Sequence, residues 1–383
     1  MCLVPGPRPV PTRPSAPTTT SQKPPCRARP DHTWAHMAAL LRHRFPAGVL
    51  DKRPSSPSPR SRTLSPCPSL IDIGDKPTSS HKEDSRASTP ATPEYSQPPP
   101  RIPVGSWDSH MHVVDPDRYP LSAAAVYRPS PFTVSQAIDF ETSIRVSHLV
   151  IVQPSIYGND NSCLLDALRA FGPTRARGVV AFDPATTPAS TLREWHKLGV
   201  RGVRLNLRST DHTMGHDEMG AVLRSYADAV RPLGWAIQLY IPLEMVRVLE
   251  HVMPALRVRV CIDHMGSPDL SSPQNTASRL DPYSLNGFSS LVRLLQAGDT
   301  YVKLSAPYRL SKGRDYIRDV DAVAKELIRV AGRTRAVFAS DWPHTRFEGL
   351  DIRPWIDQVL SWCGGSQHLA ERIFRDNAEE LWA

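Results

Sequence analysis

The chain has 383 residues, 46 Lys and Arg against 38 Asp and Glu for a net charge of +8 at pH 7, and 39 prolines. Its first 100 residues hold 21 of those prolines and 14 Lys and Arg against 7 Asp and Glu, so residues 101–383 are close to neutral. The basic balance belongs to the N-terminal segment, and a nucleic-acid-binding face on the remainder is not supported.

Residues 1–100 read as a disordered Pro/Ser/Arg-rich tail. Stretches such as Pro54–Arg62 and Thr89–Pro100 carry few large apolar side chains, too few for burial to outweigh the entropy of ordering. Polyproline-II-like segments are their natural local state and could bind partner domains. Within this tail, Trp34–Leu50 could form a short amphipathic helix. From Met37 on the segment is rich in Arg and Ser and poor in acids, a composition that suits a transit segment. No run of about 18 apolar residues occurs, so no membrane span is expected. The cysteines Cys2, Cys26, Cys67, Cys163, Cys261 and Cys363 form no CxxC pair, which argues against a disulfide framework or a structural zinc site. A reducing compartment is the default, with a cytoplasmic location expected and a mitochondrial one as the alternative.

After Pro100 the pattern changes to eight short apolar runs: Val104–Val113, His148–Ser155, Arg177–Asp183, Val200–Leu207, Ala236–Pro242, Arg259–Met265, Tyr301–Ala306 and Ala336–Asp341. Near-continuous apolar runs suit strands buried on both faces of a parallel sheet. Helical spacing predicts helices over Asn161–Phe171, Pro188–Leu198, Glu218–Leu233, Ser289–Gln296, Tyr316–Val330, Ile352–Trp362 and Leu369–Phe374. Strand and helix alternate throughout residues 101–383, matching an α/β chain folded as a (β/α)8 TIM barrel, for which about 250 residues is typical. A doubly wound nucleotide-binding sheet would need a glycine-rich phosphate loop after an early strand, and none is present.

In a TIM barrel functional side chains project from the C-terminal ends of the strands. The first run ends Trp107-Asp108-Ser109-His110-Met111-His112, and residues two apart on a strand share a face. His110 and His112 could chelate a metal or flank a carbonyl, although two surface histidines explain the pair as well. The sixth run ends Asp263-His264 and the eighth Ser340-Asp341. Asp341 taken alone reads as the N-cap of a following helix; taken with the three imidazoles it reads as a functional carboxylate. On strand four, Arg204 and Asn206 point inward if Val203, Leu205 and Leu207 pack outward. An inward Arg needs an anion, either an internal acid or a substrate carboxylate. Tyr240, Arg309 and Tyr127 are further candidates for contact with a small-molecule substrate.

Together, Asp108-Ser109-His110-Met111-His112, Val200-Arg201-Gly202-Val203-Arg204-Leu205-Asn206, Asp263-His264-Met265-Gly266-Ser267-Pro268 and Ser340-Asp341-Trp342-Pro343-His344 resemble the amidohydrolase-related family, and within it the 2-pyrone-4,6-dicarboxylate lactonases. The likeness runs from Gly105 to Trp382 and leaves out the tail. It implies that Asp341 is the general base for water, that His110, His112 and His264 position or polarise the lactone carbonyl, and that Tyr127, Arg204, Tyr240 and Arg309 contact substrate. Asn206 and His344 are added as substrate contacts. Two arginines of the lactonase pattern are replaced by Thr210 and Ser267, so a smaller or less charged lactone is expected. Arg204 and Tyr240 stand where metal-binding relatives carry ligands, which argues against a binuclear centre. The resemblance implies that no cofactor is required; a single Zn2+ on His110, His112 and Asp341, joined by His264, is the alternative. The expected activity is opening of the lactone ring of a small carboxylated cyclic substrate. A metal-dependent decarboxylase of a cyclic or aromatic acid is the alternative enzyme, and a barrel scaffold with a partner-binding tail is the non-enzymatic one.

Overall fold

The structure, a computed structural model, describes residues 101–208, 215–270, 280–313 and 315–383. The expectations for the tail and for Thr210 lie outside the described residues. Eight strands form one parallel sheet in sequential order: β1 (Trp107–Met111), β2 (His148–Val152), β3 (Ala176–Val180), β4 (Val200–Asn206), β5 (Ala236–Tyr240), β6 (Val260–Ile262), β7 (Thr300–Leu304) and β8 (Ala336–Phe338). The chain is a (β/α)8 barrel. Its ends meet just beyond β8, where Asp341 N–H donates to the His110 carbonyl at 2.8 Å and His112 N–H donates to the Trp342 carbonyl at 2.8 Å.

Strand alternation divides the apolar residues between two cores. Leu149 and Ile151, Val203 and Leu205, and Val302 and Leu304 face outward into the large core under the helices. Val150 and Val152, Val179, Ala236, Cys261, Tyr301 and Val337 fill the barrel interior. The expected outward packing of Val203, Leu205 and Leu207 is therefore observed. The helices are α1 (Val134–Ser143), α2 (Ser162–Phe171), α3 (Ala189–Lys197), α4 (His216–Val230), α5 (Val246–Leu256), α6 (Phe288–Ala297), α7 (Tyr316–Asp319), α8 (Asp321–Ala331), α9 (Arg353–Trp362), α10 (Gln367–Glu371) and α11 (Asn377–Trp382). None is long and apolar enough to cross a membrane among the described residues.

Three features differ from expectation. β6 and β8 stop early because left-handed residues follow them: His264 and Met265 have φ of 50° and 55°, and Asp341 has φ of 63°. Such backbone cannot continue a strand. The helix expected over Tyr316–Val330 is divided into α7 and α8. Helices α1, α5 and α11 have no counterpart among the expected helices; the buried face of α1 includes Glu141, and α5 contains Pro254, a residue normally read as a breaker.

α11 closes the N-terminal end of the barrel. Ala378, Leu381 and Trp382 join the interior cluster, Trp382 Nε1 donates to Ser109 Oγ at 3.3 Å, and Arg177 Nε donates to the Trp382 carbonyl at 3.1 Å. Truncating a buried Trp costs about 3–5 kcal/mol. Trp382→Ala should lower the urea midpoint accordingly, and a midpoint within error of the wild type would show that the plug is dispensable.

Candidate active site

The C-terminal mouth opens into a cavity of about 250 Å³ walled by His112, His264, Asp341, Tyr127, Tyr240, Asn206 and the four arginines Arg204, Arg208, Arg309 and Arg346, among others. The left-handed turn at Asp341 aims its two oxygens in different directions. Oδ2 accepts from the Tyr308 hydroxyl at 2.7 Å and from Arg309 Nε at 2.6 Å. Oδ1 faces the Nε2 atoms of His110, His112 and His264 at 3.7, 3.8 and 3.9 Å. The HxH pair is thus buried and convergent, with its Nε2 atoms 3.3 Å apart, which removes the surface-histidine reading. The helix-cap reading of Asp341 also falls, since the next helix starts at Arg353.

The other candidates divide by position. Arg204 lines the cavity; its guanidinium donates to the Gln153 carbonyl at 3.0 Å, and its Nε lies 3.9 Å from Asp263 Oδ2. Of its two expected anions, the internal acid is therefore within reach. Tyr240 packs edge-on against His264, with ring centroids 4.9 Å apart. Tyr127 lies beneath Arg346, whose guanidinium is 4.6 Å from the ring centroid. Arg309, expected to contact substrate, lines the cavity and is ion-paired with Asp341. His110 lies one layer below the cavity wall and is fully buried. His344 is set behind Tyr308, 5.7 Å between ring centroids, and is not among the residues of the wall.

Sequence reasoning missed the layer underneath. Lys303 and Asp263 are fully buried, with Lys303 Nζ 3.2 Å from Asp263 Oδ1 and 3.3 Å from His110 Nδ1. Gln238 Nε2 donates to Asp263 Oδ2 at 3.0 Å. The signal was available: Lys303 alternates with inward Tyr301, and Asp263 with inward Cys261. Arg208 and Arg346, not among the expected site residues, add two further cationic side chains to the mouth.

Burial and neighbouring charge set the protonation states. Burial would raise the Asp341 carboxyl, but Arg309 and the three imidazoles outweigh it and hold it well below the usual carboxylate range. Burial pushes His112 and His264 down to about 4, with Arg204 and Arg309 adding to the effect. His110 is also lowered, by burial and then by Lys303. At the barrel seam, Asp108 accepts from the backbone N–H of His110 and Ser340 and from the Ser340 hydroxyl; burial nevertheless lifts it to about 6.

Among the described residues, two groups of side chains could hold a metal ion: His110 with His112 and Asp341, and His110 with Asp263 and His264. In the second group Lys303 Nζ already stands against both His110 Nδ1 and Asp263 Oδ1.

An eight-stranded barrel with imidazoles at or just beyond the C-terminal ends of its first and sixth strands and a carboxylate after its eighth defines an amidohydrolase-type site. The chain belongs to the amidohydrolase family, whose family model matches residues 107–383. It is similar to the 4-sulfomuconolactone hydrolase of Hydrogenophaga intermedia, 28% identical over 286 residues that cover 73% of this chain and 89% of the relative. It is also similar to the 2-pyrone-4,6-dicarboxylate hydrolase of Comamonas testosteroni, 29% identical over 259 residues that cover 65% of this chain and 80% of the relative. A solved structure from Pseudomonas putida, assigned as a 2-pyrone-4,6-dicarboxylic acid hydrolase, superposes with a TM-score of 0.61 at 27% identity, covering 73% of this chain and 98% of that one. The family expected from the motifs is the family matched.

The lowered imidazoles make stability depend on pH. His112, His264 and His344 have folded pKa values of about 4, each below the ordinary 6.5. The unfolded chain binds more protons between those values, so the stability they confer is complete above pH 6.5 and is lost as the pH falls through that window. Each contributes on the order of 2 kcal/mol between pH 7 and pH 5. Asp108 at about 6 and Glu141, raised well above its usual range by burial and by Asp108, act in the opposite direction. The urea midpoint should therefore fall from pH 7 to pH 5, and His344→Gln should lose about 2 kcal/mol less over that interval. A midpoint that rises on acidification contradicts these assignments.

Proposed function

We propose that this cavity hydrolyses the ring ester of a small lactone bearing at least one carboxylate. The observation that carries this reading is the division of Asp341: one oxygen is clamped by Tyr308 and Arg309, the other is turned toward three imidazoles. The lactone hydrolases among the relatives support the same bond type. The arginine-lined wall supports an anionic substrate, since a guanidinium fork pairs with a carboxylate through charge-assisted bonds.

In this reading Arg204, with Asn206 beside it, takes the substrate carboxylate and fixes the ring against the His264 and Tyr240 side. A water on Asp341 Oδ1 loses its proton to that oxygen, and the resulting hydroxide attacks the ring carbonyl carbon. The tetrahedral oxyanion is stabilised by hydrogen-bond donors on the wall, where Tyr240 keeps its hydroxyl proton because burial raises its pKa. The C–O bond of the ring then breaks, the proton returns to the leaving oxygen, and a hydroxy acid is released. A carboxylate held as low as Asp341 is a weak base. Sharing Arg309 between Asp341 and an entering substrate anion raises that basicity at the moment the substrate is in place. No cofactor is required for any of these steps.

The reading is tested on carboxylated and neutral lactones by pH-stat. Carboxylated rings should be opened and neutral analogues should be poor substrates; equal turnover of both would remove the anion-binding role of the arginines. Asp341→Asn should lower kcat by about 100-fold or more with the fold retained, as expected for loss of a general base, and near-normal turnover would exclude it from that role. Arg204→Gln should raise KM for a carboxylated lactone by roughly 10–100-fold, the equivalent of a charged hydrogen bond, while leaving weak activity on a neutral ring unchanged.

A further inference from the structure

Lys303 lies on β7 with no exposed surface, where a charge is costly unless it is paired. Its Nζ is 3.2 Å from Asp263 Oδ1, 3.3 Å from His110 Nδ1 and 5.5 Å from the centroid of the Trp382 ring. The direction of the hydrogen bonds above it follows from one group that can only accept. The Val152 carbonyl is 2.7 Å from His112 Nδ1, so that nitrogen carries the proton and the Nε2 of the neutral imidazole is a bare acceptor. His110 Nε2 is 3.3 Å from that acceptor, so His110 carries its own proton on Nε2. Its Nδ1 is then bare, and Lys303 is the donor that meets it.

We infer that Lys303 is a positioning residue that fixes His110 as an Nε2–H donor and occupies the place of a metal ion in this site. A divalent ion on His110, His112 and Asp341 needs the Nε2 lone pair of His110. Freeing it would move the proton to Nδ1, directly against Lys303. An ion on His110, Asp263 and His264 would meet the same ammonium. The donor sets are therefore present in outline but do not fit a metal while Lys303 is there. Asp263 Oδ1 is 3.3 Å from His110 Nδ1, so removing the lysine leaves an acceptor ready for an Nδ1 proton. The imidazole would then adopt the carboxylate-supported tautomer common to metal-bound histidines.

The test uses the full chain labelled with 15N-histidine, with tautomers read from two-bond 1H–15N correlations and zinc sulfate as the probe. In the wild type, His110 should be protonated on Nε2 and His112 on Nδ1, and micromolar zinc should leave both sets of resonances unmoved. In Lys303→Met, His110 should change to the Nδ1–H tautomer, and calorimetry should record one Zn2+ per chain that shifts the His110 and His112 signals. Wild-type His110 protonated on Nδ1 overturns the inference, as does wild-type zinc binding that shifts these resonances, or an unchanged tautomer in folded Lys303→Met. The wild-type spectrum decides the matter even if the variant does not fold. Neither measurement uses a lactone, so this inference fails or stands separately from the proposed reaction.

Discussion

Between the first and last strands the backbone is joined beyond β8, at Asp341 and Trp342. The residues that close the barrel are thus residues of the candidate site. The bond from Asp341 N–H to the His110 carbonyl fixes the carboxylate relative to one imidazole, and the bond from His112 N–H to the Trp342 carbonyl fixes the second. Asp108 reinforces the seam by accepting from Ser340 and His110. A polar side chain kept in the interior at a pKa near 6 is tolerated there because it holds these two segments in register.

Below the mouth, charge is arranged in layers. Lys303 and Asp263 pair in the dry interior, three imidazoles stripped of charge by burial lie above them, and Asp341 with Arg309 forms the next level. Each charged layer is neutralised by a protein partner, so the deep site adds little net field. The rim differs: Arg208 and Arg346 line the opening, and in the proposed reaction their charge would favour approach of an anion.

The expected location of the site came from one rule, that barrel side chains at strand ends point into the mouth. It placed His112, His264, Asp341, Arg204, Asn206 and Tyr240 around one cavity. Alternation in β4 also gave the inward direction of Arg204. What could not be read was any relation that depends on turns. Left-handed residues at Ala306 and Asp341 bring Arg309 and Tyr308 onto a single carboxylate oxygen, and neither spacing nor composition encodes that encounter. Lys303 was overlooked because a lysine within an apolar run ordinarily marks a solvated strand face. Only closure of all eight strands makes the inner face of β7 dry. Pro254 concealed α5 for a similar reason, since tertiary packing of Leu249, Val252, Met253 and Leu256 outweighs the local penalty of a proline.

The account turns on Asp341 Oδ1 as the point where water and the ring carbonyl meet. A crystal structure of Asp341→Asn with an unopened carboxylated lactone examines this most directly. The account predicts the ring carbonyl carbon within about 3–3.5 Å of a water held at residue 341, with the carboxylate on Arg204 and the carbonyl oxygen toward His264 and Tyr240. A lactone bound with its ester on the far wall, beyond reach of a water at residue 341, would contradict it.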